Sequence, residues 1–182
     1  MKVTTIGRGN VGGGLARLWR AAGHEVTELG SDGGDASDAD AVLVAVPYTA
    51  IDDALGGVTG LEGKVVLDTT NVTGERPEEF PSLAHQVKAR TNGSVAKAFN
   101  LNFARLYDEV AKQRLRPGCL FCCDDEARGT VEQLIEAAGF EPVYTGNLDN
   151  ARAHEEFLRP LFGISQDRGK QPFYRFVPPG EL

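Results

Sequence analysis

Three glycines near the start of the chain have the spacing of a loop that binds phosphate groups. Gly7, Gly9 and Gly12 form the pattern Gly-x-Gly-x-x-Gly between a strand-like run, Lys2–Ile6, and a stretch of helical periodicity that begins at Asn10. In this context the first glycine permits a tight turn, the second lets a pyrophosphate approach the backbone, and the third allows the helix to pack closely. The N–H groups at the helix start attract the same anion. The pattern predicts a dinucleotide-binding loop formed by Gly7, Arg8, Gly9, Asn10, Val11 and Gly12.

The residues after the second predicted strand select between NAD(H) and NADP(H), because an acid there binds a free ribose 2′-hydroxyl whereas basic or hydroxyl groups accommodate a 2′-phosphate. Asp32 lies 20 residues beyond Gly12, the spacing expected of an NAD-binding acid, but it falls in a loop. Arg8 and Ser31 could instead face a 2′-phosphate. A third alternative is a surface ion pair between Arg8 and Asp32, which would contribute little. We favour NADP(H) and keep NAD(H) as the alternative.

Two further loops follow predicted strands and are expected to line the same crevice, because open α/β sheets bind ligands at the carboxyl ends of their strands. Val46 and Pro47 end the third strand, and Pro47 is equally well explained as a residue that stops a strand. Thr70 and Asn71 end the fourth strand and offer a hydroxyl and an amide to a ribose or carboxamide, with turn capping as the alternative. We predict that Val46, Pro47 and Asn71 bind the cofactor.

The end of the fifth predicted strand carries the residues that we expect to bind the substrate, Lys97, Phe99 and Asn100. Strand alternation places Lys97 and Phe99 on one face and Asn100 on the other. An unpaired lysine is costly to bury, so Lys97 would contact a phosphate or an acidic substrate, or else be solvated or ion-paired. Phe99 is either a platform for ring stacking or, more often for a phenylalanine, part of the core.

Strands and helices that alternate along the chain must bring these loops together. Short β-branched runs alternate with longer helical stretches, which indicates an α/β fold. Residues 30–40, between the second and third strands, are too few for both a crossover helix and another strand. We predict one domain, 1–182, with a Rossmann-type doubly wound, mostly parallel sheet, abbreviated after the second strand, and a small C-terminal α/β extension from about residue 115. The predicted strands are 2–6, 25–29, 41–46, 64–68, 94–99, 118–123 and 141–144, and the predicted helices are 10–22, 48–55, 82–90, 103–113, 125–138 and 150–162, before an irregular tail, 163–182.

Composition limits the partners of this chain of 182 residues. Its 41% hydrophobic content is ordinary for a globular protein, and its formal net charge is −7 without a basic run. Nucleic acids and anionic membranes are therefore not expected partners. The longest apolar run, 41–47, is much shorter than the roughly 20 residues of a membrane-spanning helix. No leader is recognised at the N-terminus, which predicts a cytoplasmic location.

Several segments together resemble one family. The chain is similar to the NADPH-dependent F420 reductases (F420:NADP oxidoreductases), which are related in their nucleotide domain to pyrroline-5-carboxylate reductases. The resemblance covers nearly the whole chain, and the segments 68–71 and 97–100 discriminate better than the glycines alone. The matching segments are Ile6-Gly-Arg-Gly-Asn-Val-Gly12, Ala22-Gly-His-Glu-Val26, Val44-Ala-Val-Pro47, Asp68-Thr-Thr-Asn71, Lys97-Ala-Phe-Asn100 and Gly146-Asn-Leu-Asp-Asn-Ala-Arg152.

The resemblance implies hydride transfer between NADP(H) and the deazaflavin F420, commonly in a homodimer, with Val46 and Pro47 beside the ribose and nicotinamide. It also implies that the 2′-phosphate is read by the glycine loop and by a Ser-Arg pair after the second strand. Ser31 matches that pair, but Asp32 stands where the arginine is expected. Arg8 in the glycine loop would then supply the positive charge from the other side of the phosphate.

No side chain is expected to act as a catalytic acid, base or nucleophile. Hydride transfer between two rings depends on proximity and alignment more than on proton transfer. Cys119 and Cys122 match Cys-x-x-Cys, but they lie in an apolar strand without a second pair or a nearby histidine, so we expect them and Cys123 in the core and predict no metal site. No Ser or Cys is placed to form a triad with the three histidines, His24, His85 and His154.

The leading hypothesis is an oxidoreductase that binds NADP(H) and transfers hydride to or from a deazaflavin or flavin-like acceptor, F420 in the family that the chain resembles. The alternative is an NAD(P)-binding sensor or scaffold module without turnover. Reduction of a small imine or carbonyl compound usually relies on an added helical substrate domain, which does not fit in 182 residues.

Overall fold

The computed structural model describes residues 1–180 and contains a seven-stranded sheet. Its strands are β1 (Lys2–Ile6), β2 (Glu25–Leu29), β4 (Ala41–Val44), β6 (Val65–Asp68), β7 (Ser94–Lys97), β8 (Gly118–Cys123) and β9 (Glu141–Tyr144), in the order β2-β1-β4-β6-β7-β8-β9. A separate ladder pairs β3 (Gly34–Asp35) with β5 (Val58–Thr59). The helices are α1 (Asn10–Ala21), α2 (Ile51–Gly56), α3 (Leu83–Thr91), α4 (Arg128–Ala137) and α5 (Ala151–Asp167), with 3₁₀ segments at Tyr48–Ala50, Ala104–Lys112, Asp125–Ala127 and Leu148–Asn150.

The strand order confirms the predicted Rossmann-type, mostly parallel sheet. Strands β2, β1, β4, β6 and β7 pair in parallel, and β1 lies between β2 and β4. β8 runs antiparallel to β7, and β9 pairs in parallel with β8. The chain passes from β1 to β2 on one side of β1 and then crosses to β4 on the other side, so the strand order reverses at β1. Such a reversal opens a crevice at the carboxyl ends of β1 and β4.

Helices cover both faces of the sheet, and consecutive residues of the central strands alternate between the two layers. In β4, Ala41 and Leu43 join the core with α1 and α4, whereas Val42 and Val44 join the core with α2 and α3. All four side chains are fully buried, which explains why β4 is apolar throughout. This rigid double-sided core holds the loops at the carboxyl edge of the sheet.

The expected abbreviation after β2 is present. Residues 30–40 contain no helix, and their two-residue strand β3 pairs with β5 rather than extending the main sheet beyond β2. Neither short strand is predicted from the sequence, because two residues are too few to show a periodicity. β2 is consequently an edge strand on the side where an adenosine ribose would lie.

Several element boundaries differ from the predictions by one or two residues, among them the third strand, which ends at Val44 rather than 46, and three further differences have a structural explanation or change the type of element. The fifth predicted strand ends at Lys97, because Phe99 has a left-handed backbone with φ of 59° and cannot continue a strand. The last helix passes Pro160 and ends at Asp167 rather than 162, so only residues 168–180 of the predicted irregular tail lack a helix, and 181–182 lie outside the described residues. The predicted helix 103–113 is a 3₁₀ segment, Ala104–Lys112.

Candidate functional site

A cleft of about 570 Å³ lies at the carboxyl ends of β1, β4 and β6. It is built from the three loops that follow these strands, at the position where an open α/β sheet binds its ligand. The lining residues are Gly9, Asn10, Val11, Ala45, Val46, Pro47, Tyr48, Thr49, Thr69, Thr70, Asn71 and Thr73. Sequence reasoning did not select Ala45, Tyr48, Thr49, Thr69 or Thr73. Thr69 and Thr73 follow the fourth predicted strand, whereas Ala45 was assigned to the third strand and Tyr48 and Thr49 to the helix after it.

The glycine loop has the geometry that its spacing predicts. Gly7 has a φ of 106°, and a Cβ there would collide with the carbonyl oxygen of Ala45. A Cβ at Gly12 would collide with the carbonyl oxygen of Gly7. Gly9, in contrast, has no heavy atom within 4 Å of a Cβ position. Two glycines are therefore required by the fold, whereas the space beside Gly9 stays open toward the cleft.

Helix α1 begins at this loop and presents an uncapped N-terminus to the cleft. Gly9 is the N-cap residue and makes no side-chain capping hydrogen bond, and the first turn has no acidic residue. The first N–H groups of a helix have no acceptor within it, and the helix dipole favours an anion there. The backbone of Asn10 and Val11, both in the cleft lining, is thus suited to hold a pyrophosphate.

Arg8 lies across the end of β2. Its guanidinium packs against Gly30, where a Cβ would be only 2.7 Å from Cζ of Arg8. Gly30 directly precedes Ser31, whose side chain is exposed beside the loop. Within residues 1–180 no carboxylate lies within ion-pair distance of Arg8, so the alternative of a surface pair with Asp32 is not observed. The exposed guanidinium is free to meet an anionic group.

The loop after β4 forms one wall of the cleft. Val46 and Pro47 lie in the lining, and Pro47 precedes the 3₁₀ segment Tyr48–Ala50. The Tyr48 hydroxyl donates a hydrogen bond of 3.1 Å to the carbonyl oxygen of Glu75. This bond ties the loop after β4 to the loop after β6 across the mouth of the cleft.

The loop after β6 forms the opposite wall and is held by buried hydrogen bonds. The Oδ1 atom of Asp68 accepts bonds from the Thr70 backbone N–H (2.8 Å) and hydroxyl (2.7 Å). Asn71 donates from Nδ2 to the carbonyl oxygen of Asn100 (2.7 Å) and accepts at Oδ1 from Nδ2 of Asn100 (3.0 Å). Asn71 therefore reaches the cleft in a fixed orientation, supported from behind by Asn100.

The structure changes the expectation for the three candidate substrate residues. Lys97 is fully buried and ion-paired with Asp68 and Glu155. Phe99 is 1% exposed, and its left-handed backbone turns the ring into the core. Neither side chain offers surface to a ligand, so we withdraw both as substrate contacts and adopt the ion-paired and core alternatives. Asn100 is 6% exposed and does not line the cleft, but it forms hydrogen bonds with Asn71, which does.

A second cavity of about 780 Å³ adjoins the cleft, and Thr73 lines both. It lies between the loop after β6 and helix α5. Two arginines, Arg76 and Arg159, and two apolar side chains, Leu158 and Phe162, are among its walls. The full lining is Val72, Thr73, Gly74, Arg76, Glu155, Glu156, Leu158, Arg159, Phe162, Gly163 and Gln166. Sequence reasoning placed no ligand here, because the two walls are about eighty residues apart along the chain.

The cysteines occupy the core of β8. Cys119, Cys122 and Cys123 are free thiols with no exposed surface. Burial raises the pKa of Cys119 and of Cys122 to about 12 and that of Cys123 to about 11. Among the described residues, no three His, Cys, Asp or Glu side chains are grouped so as to hold a metal ion.

No helix within residues 1–180 is both long enough and apolar enough to cross a membrane.

Comparison with known proteins finds similarity in structure only. No protein-family model matches the chain, and no curated protein matches it. A crystal structure described as a candidate F420-dependent NADP reductase from Arthrobacter sp. FB24 superposes with a TM-score of 0.81 at 21% identity, covering 98% of this chain and 100% of that chain. A hypothetical protein from Sinorhizobium meliloti has a TM-score of 0.67 at 24% identity, with 81% and 86% covered.

Larger reductases share the same architecture. A reductive aminase from Aspergillus terreus, in complex with NADPH and ethyl levulinate, has a TM-score of 0.65 at 16% identity. The match covers 91% of this chain and 62% of that chain. The comparisons thus show a Rossmann-type fold, which this chain shares with these structures. Among these structures, the Arthrobacter protein matches over the full length of both chains and fits the resemblance seen in the sequence.

Proposed function

We propose that the protein is an NADP(H)-dependent oxidoreductase that transfers hydride between the nicotinamide and a deazaflavin or flavin-like acceptor. The observation that carries this proposal is the position of the uncapped N-terminus of α1 and of Arg8 along one edge of the sheet. The helix N-terminus suits the pyrophosphate, and Arg8 suits a ribose 2′-phosphate. A structural relative described as a candidate F420-dependent NADP reductase supports the acceptor class.

Different residues of the cleft would bind different parts of the cofactor. Gly7, Arg8, Gly9, Asn10, Val11 and Gly12 form the phosphate loop, and Ser31 flanks the adenosine ribose. Val46 and Pro47 would border the nicotinamide ribose, and the fixed amide of Asn71 would meet a ribose hydroxyl or the carboxamide. The cofactor itself supplies the hydride, and the chain contributes binding, orientation and exclusion of water.

The composition of the cleft favours hydride transfer over acid–base chemistry. Of its twelve lining residues, all within the described part of the chain, Tyr48 is the only one with a titratable side chain. Hydride transfer between two stacked rings requires alignment and needs no proton donor from the protein. The geometry therefore fits two cofactor rings better than a carbonyl substrate that must be protonated.

The second cavity is the place for the acceptor. It adjoins the cleft at Thr73, so a ring could reach the nicotinamide while the rest of the acceptor lay along α5. Leu158 and Phe162 would contact the apolar part of the acceptor. Arg159, exposed at the rim, would attract an acidic tail. Because the whole chain carries a net charge of −7, this attraction must be local.

Fluorescence titration with NADPH and NADH, for the wild type and for Arg8→Ala, tests the cofactor assignment. We expect tighter binding of NADPH and loss of that preference in the variant. Equal affinities that the substitution leaves unchanged would contradict a role for Arg8. Oxidation of NADPH by F420 or a flavin then tests the acceptor, and Arg159→Ala should raise the KM for the acceptor while the Kd for NADPH stays unchanged.

The same cleft fits a second candidate function, a nucleotide-binding sensor without turnover. The near absence of titratable groups from its lining and the edge position of β2 are compatible with binding alone. Tight NADPH binding with no reduction of F420 or of flavins would favour the sensor. Absence of binding by either nucleotide would contradict both functions.

Two further predictions accompany the enzyme proposal, a homodimer and a cytoplasmic location. The homodimer is supported by two exposed apolar side chains on one face of α5, Phe157 and Ile164, which are each more than 40% exposed. Sedimentation equilibrium of the purified protein tests the homodimer, and a mass of one 19.5 kDa chain would contradict it.

A further inference from the structure

Four charged side chains form a network between the nucleotide cleft and the second cavity. Lys97 at the end of β7, Asp68 at the end of β6 and Glu155 on α5 have no exposed side-chain surface, and the side chain of Arg76 is 21% exposed. Two positive and two negative groups meet, so the charges of the network balance. Buried charges are tolerated when they are paired and hydrogen-bonded in this way.

Lys97 is at the centre of this network. Its Nζ atom lies 2.7 Å from Oδ2 of Asp68, 2.5 Å from the carbonyl oxygen of Thr70 and 3.1 Å from Oε1 of Glu155. An ammonium group has three N–H donors and no acceptor. Two of these donors have hydrogen-bond acceptors, Asp68 and Thr70, and the ammonium forms an ion pair with Glu155 on its third side.

Two residues of the network form hydrogen bonds with Thr70. Lys97 binds its carbonyl oxygen, while the Oδ1 atom of Asp68 accepts bonds from its N–H and its hydroxyl. Thr70 and the next residue, Asn71, line the nucleotide cleft. This wall is consequently supported from behind by Asp68 and by Lys97, neither of which is in the cleft lining.

Glu155 extends the same network to the second cavity. Its Oε1 atom also accepts a bond of 2.9 Å from the backbone N–H of Leu83 at the start of α3, and its Oε2 atom accepts one of 2.5 Å from Arg76. Arg76 and Glu155 both line that cavity. Lys97 thus connects the walls of the two cavities through one carboxylate on each side.

We propose that Lys97 is a positioning residue for the nucleotide cleft, which holds the segment 69–71 in its binding conformation and ties it to α5. The role follows from its three contacts, and it deepens the proposed function, on which it rests only for the identity of the bound nucleotide. Lys97 touches neither cofactor nor substrate. Its removal should loosen one loop and weaken binding without disturbing the glycine loop.

The test uses the full chain and a charge-balanced double variant, Lys97→Met with Asp68→Asn. One charge of each sign is removed, so the pair between Arg76 and Glu155 remains and no isolated buried charge is created. Lys97→Arg is the second variant, because it keeps the positive charge but replaces three convergent donors with a planar fork. Val131→Ala, a buried site in α4 away from both cavities, is the control for a general loss of stability.

Two measurements separate positioning from a merely structural role. Amide hydrogen exchange without nucleotide should become faster in segment 69–73 of either Lys97 variant and remain at the wild-type rate there in Val131→Ala. The Kd for NADPH should rise about tenfold or more in the Lys97 variants, as is typical when a supporting residue behind a binding group is lost. The glycine-loop segment should keep its wild-type exchange rate.

Unchanged exchange in segment 69–73 in a folded Lys97 variant would overturn the proposal, and so would faster exchange with an unchanged Kd. If the double variant does not fold, Lys97→Arg decides by the same criteria. If the wild type binds no NADPH, the proposed function fails. The exchange measurement, made without nucleotide, then still supports or overturns the positioning of the loop by Lys97.

Discussion

The guanidinium of Arg8 packs against the backbone of Gly30, so closely that a side chain at position 30 would displace it. The two residues come from the first and second turns at the carboxyl edge of the sheet, after β1 and after β2. Gly30 is half-buried under the arginine, and its φ is not in the left-handed region. The glycine is therefore required for the position of Arg8 and not for the backbone conformation.

Gly30→Ala should displace Arg8 and abolish the preference for NADPH over NADH. The new Cβ would lie 2.7 Å from Cζ of Arg8, and the exposed arginine is the partner that can move. A charge-assisted hydrogen bond to phosphate contributes about 1.5–3 kcal/mol, so the Kd for NADPH should rise about tenfold to hundredfold while the Kd for NADH changes little. Fluorescence titration of both nucleotides measures this.

Gly129→Ala is the matched control for that substitution. Gly129 lies in α4, and a Cβ there has no heavy atom within 4 Å. This variant should bind both nucleotides as the wild type does. A Gly30→Ala protein that still preferred NADPH would show that Arg8 does not read the 2′-phosphate from its position over Gly30.

Gly9→Ala should separate nucleotide binding from stability. Its backbone, with φ of −76° and ψ of −165°, suits alanine, and the Cβ would meet no atom of the protein. The gain from a less flexible unfolded chain is opposed by the poorer N-cap preference of alanine, so the free energy of unfolding should change by less than about 1 kcal/mol. The methyl group would occupy the approach of the pyrophosphate to the N–H groups of α1, so the Kd for NADPH should rise about tenfold or more.

Gly12→Ala provides the contrast to Gly9→Ala. Its Cβ would collide with the carbonyl oxygen of Gly7, and such overpacking costs about 1–3 kcal/mol of stability. Urea unfolding together with NADPH titration distinguishes the two variants. A large loss of stability in Gly9→Ala, or wild-type binding by it, would contradict the role given to the second glycine.

The sequence predicts the glycine-loop side of the cleft because its signals are local. The glycine spacing, the preceding strand and the following helix occupy the first 21 residues. The abbreviation after β2 also follows from a simple count of residues 30–40. Such patterns predict the structure well because the conformation of each segment depends mainly on residues close to it in the sequence.

The roles of Lys97 and Phe99 could not be predicted, because their partners are distant along the chain. Glu155, which receives Lys97, lies 58 residues later, and Phe99 packs between the rings of Trp19 and Phe140. The alternation that assigned both side chains to one face fails at the left-handed turn of Phe99. The second cavity was missed for the same reason, since one of its walls is α5, which continues past Pro160.

The cysteines should be unreactive in the folded protein. Cys119, Cys122 and Cys123 have no exposed surface, and burial raises the pKa of each thiol to about 11 or 12. The thiolate is the reactive form, so 5,5′-dithiobis(2-nitrobenzoate) at pH 8 should label none of them in buffer and all three in denaturant. Ala89→Cys, at an exposed site on α3, is the control that should react at once. Labelling in buffer at the control rate would contradict a purely structural role.

The folded protein should lose stability in mild acid through His154. Burial, with a smaller effect of the Lys97 charge, lowers the pKa of His154 from 6.5 to about 4. As the pH falls from about 6.5 to about 4, the unfolded chain gains a proton that the folded protein does not bind, so the free energy of unfolding decreases. A difference of this size corresponds to about 3 kcal/mol.

His154→Gln should remove this part of the pH dependence, because glutamine does not titrate. Urea unfolding at pH 7, 5 and 4 gives the free energy of unfolding of the wild type and of the variant. The difference between the two cancels the contribution of the carboxylates that titrate near pH 4. The imidazole lies 2.7 Å from the Thr145 hydroxyl through Nε2, and the variant amide can replace that bond. In the control variant Val131→Ala, the free energy of unfolding should be lower by the same amount at every pH. If the curves of free energy against pH are parallel for His154→Gln and the wild type, His154 titrates normally in the folded protein.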